Sequence, residues 1–345
     1  MEIWAHRGAS GYAPENTLEA FKLAIEMEVD GIELDVQLTK DNKVVVIHDE
    51  TLQRVSNGQG YVKDFTLAEL KELNFNKDNA RYLELEIPTL REVLQLLRNT
   101  DIKLNIELKT GVFFYPELEQ KVLELVDKYD MKDRVWYSSF NHYSMKKILE
   151  LDANAKVGLL YVDGIYEPVE YAKKLGAKAL HPYVNNLQYP DLISKCKENE
   201  IKIHTWTVNG YRDMLSCAKY SVDAVITNYP DRVRLFMNKQ GMGKYPYENP
   251  FCEGANREFY LFGAGYNGQH FLNRYSSKYE PIAILDNAEI KWGKKLNGIS
   301  IRSPQCLNSD DCVVVAGIYY ADIIKQLKQM GITNYYIYDE MSDWK

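Results

Sequence analysis

Trp4-Ala5-His6-Arg7-Gly8 opens the chain, and Pro14-Glu15-Asn16-Thr17 follows a few residues later. The first stretch reads as a strand that starts almost at residue 1 and ends on ionisable side chains and a turn glycine. Alone, a His-Arg-Gly string equally describes a strand end with two solvated polar residues. The next strands add weight because they carry ionisable residues of the same kind. In Gly31-Ile32-Glu33-Leu34-Asp35-Val36, Glu33 and Asp35 are two apart and share a face. Two carboxylates on one face of a buried strand repel each other and resist desolvation, so they need a compensating cation. Lys103-Leu104-Asn105-Ile106-Glu107-Leu108-Lys109 repeats the device, with Glu107 and Lys109 at i and i+2. Glu33, Asp35 and Glu107 form an oxygen-rich donor set that suits a hard divalent cation, Mg²⁺ or Ca²⁺. The competing reading is a structural Glu–Lys ion pair.

Outward from these strands, Leu18 to Met27 has helical spacing, with Thr17 as N-cap. Val44-Val45-Val46-Ile47-His48 follows the second strand too closely for a parallel crossover, so it returns antiparallel. A two-residue turn at Asp41-Asn42 would place Asp35 opposite His48 and bring an imidazole beside a carboxylate. Residues 50–88 break the alternation of strand and helix. They read as an insertion over the barrel mouth, where substrate choice is often decided. From Pro88 the alternation resumes, with strands at 135–140, 157–161, 179–181, 203–208 and 224–227. Leaving out the hairpin strand, eight parallel-type strands remain, which predicts a (β/α)₈ TIM barrel with its chemistry at the strand C-terminal ends.

His6-Arg7-Gly8, Pro14-Glu15-Asn16-Thr17, Glu33-x-Asp35, His48-Asp49 and Glu107-x-Lys109 occur in that order. Over about residues 2–236 the chain resembles the glycerophosphodiester phosphodiesterase family. The resemblance implies metal-dependent hydrolysis of glycerophosphodiesters to glycerol 3-phosphate and an alcohol. In that route one histidine helps the glycerol 2-hydroxyl attack phosphorus, the other protonates the leaving alcohol, and water opens the cyclic phosphate. His6 and His48 are the candidate catalytic pair, with unperturbed pKa values near neutrality. Glu33, Asp35 and Glu107 are the candidate metal ligands. Arg7 and Lys109 face the phosphate, and Trp206 is a candidate for packing against the glycerol carbons. Glu15 and Asn16 are expected to order the loop around His6 and Arg7. Among the other histidines, His181 is read at the mouth, His142 and His270 at the surface, and His204 as able to face outward. Two alternatives are a lysophospholipase D-type enzyme on the same barrel, and an idle barrel serving the C-terminal domain.

Residues 237–256 are rich in Gly, Pro, Asn and Lys without a period and read as a linker between a barrel domain, 1–236, and a small domain, 257–345. In the latter a strand runs into Gly263-Ala264-Gly265-Tyr266-Asn267-Gly268 and a helix, and Asp286 follows about 20 residues on. The segment resembles the small Rossmann-like α/β domains appended to polysaccharide-related enzymes. Gly263, Gly265, Gly268 and Asp286 are candidates for a nucleotide or nucleotide-sugar site, against a reading as a glycine cluster in an interaction domain.

The formal charge of −7 argues against nucleic acid as a partner. The five cysteines show no zinc or redox spacing, which suits a reducing compartment. No apolar run reaches the ~20 residues of a membrane span, and no secretory signal precedes the first strand. The expected setting is the cytoplasm, with a small-molecule diester as substrate.

Overall fold

The computed structural model describes residues 1–76, 79, 81–238, 251, 258–317 and 320–338. Most of the 237–256 linker, with Cys252, therefore lies outside the described residues. The chain divides into two compact units, residues 1–209 with 213–233 and residues 210–212 with 234–345.

In the first unit the strands are β1 (Glu2–His6), β2 (Gly31–Leu38), β3 (Val44–Val46), β4 (Lys103–Leu108), β5 (Val135–Ser139), β6 (Lys156–Tyr161), β7 (Ala179–Pro182), β8 (Lys202–Thr205) and β9 (Ala224–Thr227). Eight run parallel, and β1 pairs with both β2 and β9, so the sheet closes into the expected barrel. Helices on the connections close its outside. Thr17 caps helix Leu18–Glu26 through Ala20 N–H, and Thr89 with Glu92 forms a capping box on Leu90–Leu97. Below the mouth, Trp4, Trp136, Ala179, Ala224 and Ile226 pack together. These come from strands that are not all neighbours, so they meet across the barrel interior. His204 lies in the same cluster, with its ring against Trp4 and Trp136 and Nδ1 3.0 Å from His181 Nε2. Both histidines are buried, so neither lines the mouth nor faces outward. His142 begins a helix half-buried, against Leu160 O and Tyr171.

The β2–β3 hairpin differs from its expected register by one residue. Val36 faces Val46, Gln37 faces Val45 and Leu38 faces Val44. The turn holds three residues, with Asn42 N–H bonded to Thr39 O and Asn42 at φ 59°. Asparagine tolerates this left-handed conformation, which lengthens the turn and slips the register. Asp35 is therefore opposite Ile47, whose N–H bonds to Asp35 O, and His48 lies just past the strand. The insertion is no loose cover. Leu52, Val55, Val62, Leu70, Phe75, Leu85 and Ile87 form a core against Val45 and Ile47 of the hairpin.

The second unit holds β10 (Tyr260–Phe262), β11 (Ala283–Leu285), β12 (Lys295–Leu296), β13 (Ile299–Arg302), β14 (Val313–Val315) and β15 (Tyr335–Ile337), in the order β12-β13-β11-β10-β14-β15. All pair parallel except β12 with β13. Leu261, Ile284, Val314 and Tyr336 pack with Phe271 and Leu272 on one face. Phe262, Leu285, Val315 and Ile337 pack with Ile324 and Leu327 on the other. A parallel sheet covered on both faces explains its continuous apolar strands. The sequence reading found four of the six strands. It missed the β12–β13 hairpin, although Asn297-Gly298, with φ 49° and 84°, is a strong short-range hairpin signal.

Candidate active site

The site collects at the C-terminal ends of β1, β2 and β4. β2 pairs with β4 in a register that sets Asp35 beside Glu107, and β1 pairs with β2 so that His6 sits beside Glu33. Carboxylate oxygens of Glu33, Asp35 and Glu107 lie within 4.8 Å of one another, and all three residues are buried. Arg7 Nε is 3.3 Å from Asp35 Oδ2, and Lys109 Nζ is 2.9 Å from Glu107 Oε1 and 3.9 Å from Asp35 Oδ1. Asn16 Nδ2 donates to Asp35 Oδ2 at 2.9 Å, and Arg7 N–H donates to Glu33 Oε2 at 3.0 Å.

These contacts divide the charge unequally. Burial opposes ionisation of Asp35, but Arg7, His48, Lys109 and the Asn16 bond outweigh it and hold its carboxyl low. Burial and the negative charges of Asp35 and Glu107 push Glu33 well above the usual range. Glu107 is also raised, by burial first, with Lys109 pulling against it. Asp35 Oδ1 is buried without a hydrogen-bond donor. Three converging acids that two side-chain cations leave in mutual repulsion, with an acceptor to spare, fit a hard divalent cation.

The two candidate histidines stand in matching settings. His6 Nδ1 lies 2.6 Å from Asn228 Oδ1, and its Nε2 is 3.9 Å from Glu33 Oε2. His48 Nδ1 lies 2.6 Å from Asp49 Oδ1. Each Nδ1–H donates to its oxygen, which leaves Nε2 as the working nitrogen. Burial and the adjacent Arg7 charge push His6 down to about 4. Trp206 is half-buried, with its ring edge-on to Phe140 and Tyr183 and Nε1 donating to His181 O. Phe140 in turn lies under Lys109 Nζ, 5.9 Å from the ring centre.

Three supporting residues escaped the sequence reading. Asn228 follows β9 and holds His6. Gln37 donates to the carbonyls of Ile47, His48 and Asp49 and accepts from Tyr115 OH at 2.8 Å, pinning the segment that carries His48. Gln37 continues the Glu33-x-Asp35 alternation, a signal that was available. Arg54, in the insertion, bonds both Glu15 and Asp49.

The sequence model of the glycerophosphoryl diester phosphodiesterase family matches residues 6–232. The chain belongs to this family. The barrel unit is accordingly that of a glycerophosphodiester phosphodiesterase-type enzyme. A glycerophosphodiester phosphodiesterase of Caldanaerobacter subterraneus subsp. tengcongensis is 45% identical over 69% of this chain and 98% of its own length. One from Bacillus altitudinis is 39% identical over 67% of this chain and 96% of its own. A phosphodiesterase structure from Oleispira antarctica, in complex with the product sn-glycerol-3-phosphate, superposes with a TM-score of 0.65. It is 28% identical and covers 69% of this chain and 97% of its own. Residues 255–338 match a second family, described as C2185-like, N-terminal.

In the second unit, Asp286 Oδ2 accepts from Ala264 N–H at 3.0 Å and from Lys291 Nζ at 2.8 Å. The acid therefore braces the glycine-rich loop itself. His270 bonds Tyr338 OH at 2.7 Å. Among the described residues no helix is long and apolar enough to cross a membrane.

Proposed function

We propose that the barrel hydrolyses glycerophosphodiesters to glycerol 3-phosphate and an alcohol, with Mg²⁺ or Ca²⁺ held by Glu33, Asp35 and Glu107. The observation that carries this reading is two Nδ1-tethered imidazoles beside a buried carboxylate cluster that two cations do not neutralise. When bound, the cation would supply charge neutralisation for the phosphate and acidify a hydroxyl in its reach. Arg7 and Lys109 draw the phosphate oxygens in and offset the charge that builds there. One of His6 and His48 takes the proton of the glycerol 2-hydroxyl as it attacks phosphorus. The other gives a proton to the departing alcohol oxygen, and water then opens the cyclic phosphate. Trp206, beside Phe140, packs against the glycerol carbons.

The test is release of glycerol 3-phosphate from glycerophosphocholine and glycerophosphoethanolamine, with Mg²⁺, Ca²⁺ or EDTA, for wild type and His48→Ala. Metal-dependent release lost in the variant is expected. No release under any metal from folded protein would sink the reading.

A second reading keeps the chemistry and changes only the retained half of the substrate, whose glycerol would carry an acyl chain. Val112, Phe114, Phe140, Val162, Tyr166 and Tyr189 are exposed on loops that follow β4 to β7, at the end of the barrel that carries the site. An apolar rim of this kind suits a lysophospholipase D-type substrate. A higher kcat/KM for lysophosphatidylcholine than for glycerophosphocholine, reversed by Val112→Ser with Phe114→Ser, would favour it.

In the second unit, a nucleotide or nucleotide sugar is the ligand we assign to Gly263, Gly265, Gly268 and Asp286. Gly265 leaves open space where a Cβ would stand, as a backbone approached by phosphate requires, and Gly268 sits against Gly263 O. Titration calorimetry with nucleoside diphosphate sugars tests it, and absence of heat at millimolar ligand would count against it. The described cysteines are free, which suits a cytoplasmic setting.

A further inference from the structure

The insertion sends the Arg54 side chain between the two arms of the site. Its Nε and Nη2 donate to Asp49 Oδ2 and Oδ1 at 2.5 and 3.0 Å. Its Nη1 and Nη2 donate to Glu15 Oε2 and Oε1 at 2.6 and 2.7 Å. One guanidinium thus engages both oxygens of two carboxylates. Each carboxylate is shared onward. Asp49 Oδ1 also accepts from His48 Nδ1 at 2.6 Å, and Glu15 Oε1 also accepts from Arg7 Nη1 at 2.8 Å. The result is a continuous line, Arg7–Glu15–Arg54–Asp49–His48, joining the β1 loop to the end of the hairpin.

We infer that Arg54 is a positioning residue, a clamp that fixes His48 relative to Arg7 so that proton transfer and phosphate binding occur in register. The inference rests on the function proposed above and deepens it. Arg54 bonds neither Glu33, Asp35 nor Glu107, so it acts through Asp49 and Glu15. The Arg54 side chain is 37% exposed, and a bidentate, networked pair of this kind adds some stability, so a role in positioning is separated from a role in stability by reading kcat and the His48 imidazole directly. The anchor of Arg54 is firm all the same: Leu52 and Val55, on either side of it, are buried in the insertion core. Removing Arg54 leaves Asp49 and Glu15 without the cation that brings them together, and Asp49 loses the fork that aims it at Nδ1. Lysine cannot replace the fork, since an ammonium is a point donor without the planar bidentate geometry.

The test uses the full chain, with glycerophosphocholine as probe and kcat and KM read separately. Arg54→Met is expected to lower kcat by ~10–100-fold, as loss of a group behind a site ligand commonly does, while KM moves little. The double variant with Asp49→Asn should be no slower than Asp49→Asn alone, because both act on His48. Arg54→Lys should resemble Arg54→Met, and it carries the same test should the methionine variant fail to fold. A purely structural role would leave the His48 imidazole unchanged, so its ¹⁵N spectrum is the second readout. Wild type should show the neutral ring protonated at Nδ1, and Arg54→Met a mixture of tautomers at the same pH. Unchanged kcat and tautomer, additive losses in the double variant, or full rescue by lysine would each overturn the clamp. If wild type hydrolyses no diester, the functional reading falls, and the imidazole spectrum still decides the clamp independently.

Discussion

Asn228 is the residue whose loss should speak most directly to His6. Its Oδ1 accepts a hydrogen bond from His6 Nδ1–H, and its own N–H is tied to Asn209 Oδ1 at 2.9 Å, so the acceptor is fixed from behind. Asn228→Ala removes that acceptor and leaves a half-buried imidazole free to rotate and to change tautomer. We expect kcat to fall by ~10–100-fold with KM nearly constant, measured by steady-state kinetics. An equal rise in KM would instead assign Asn228 to substrate binding. At this scale the sequence was legible where a residue carries chemistry. Paired carboxylates in an apolar strand cost too much to be accidental, and a histidine at a strand end is unusual enough to notice. It was illegible where a residue only supports another. Asn228 and Arg54 are ordinary polar residues until the fold brings His6, 222 positions from Asn228, and Glu15, 39 positions from Arg54, beside them.

At the scale of elements, β6 and β7 are fitted to each other through a missing side chain. A Cβ at Gly158 would lie 2.2 Å from His181 Nε2. His181 is fully buried and bonded to His204, so it cannot step aside. Gly158→Ala should destabilise the barrel by roughly 1–3 kcal/mol through overpacking, read by denaturant unfolding. His181→Ala should relieve part of that cost, so the double variant is less than additive. Additive losses would show that the clash is absorbed elsewhere. The eight strands themselves were readable because each is a short apolar run between turn signals, and helices separate most of them. The hairpin register was not. Two-residue and three-residue turns are both compatible with Asp41-Asn42, and the choice depends on Asn42 accepting a left-handed backbone. Nor did the strand pattern reveal the fate of His181 and His204, because alternation states which residues share a face but not whether that face is the mouth or the packed interior.

Two charge arrangements set how the molecule responds to its medium. Burial holds His181 down to about 3, and holds His204 well below its ordinary value with help from His181, Lys202 and Lys103. A histidine whose folded pKa lies below its unfolded value leaves the folded state short of protons in acid. Its contribution is intact above about pH 6.5 and is lost as pH falls, at about 1.4 kcal/mol per unit for each group. Between pH 6.5 and 4.5, His181→Gln should therefore lose stability less steeply than wild type, by denaturant titration; parallel slopes would refute this. The acid cluster gives the sharper test, because a metal site and a structural ion pair predict opposite signs for Glu33→Gln. Without a cation, Glu33 is raised by burial first and then by repulsion from Asp35 and Glu107, so neutralising it should leave the chain in EDTA at least as stable as wild type. Were Glu33 mainly the partner of Arg7 N–H and His6, the same change would destabilise it. Mg²⁺ or Ca²⁺ at a hundredfold excess over Kd should stabilise wild type by about 2.7 kcal/mol, and Glu33→Gln should lose most of that gain. A two-unit chain need not melt in one step, so the shift belongs to the transition that His181→Gln also moves. Destabilisation of the variant in EDTA, together with no response of wild type to either cation, would return the cluster to the ion-pair reading.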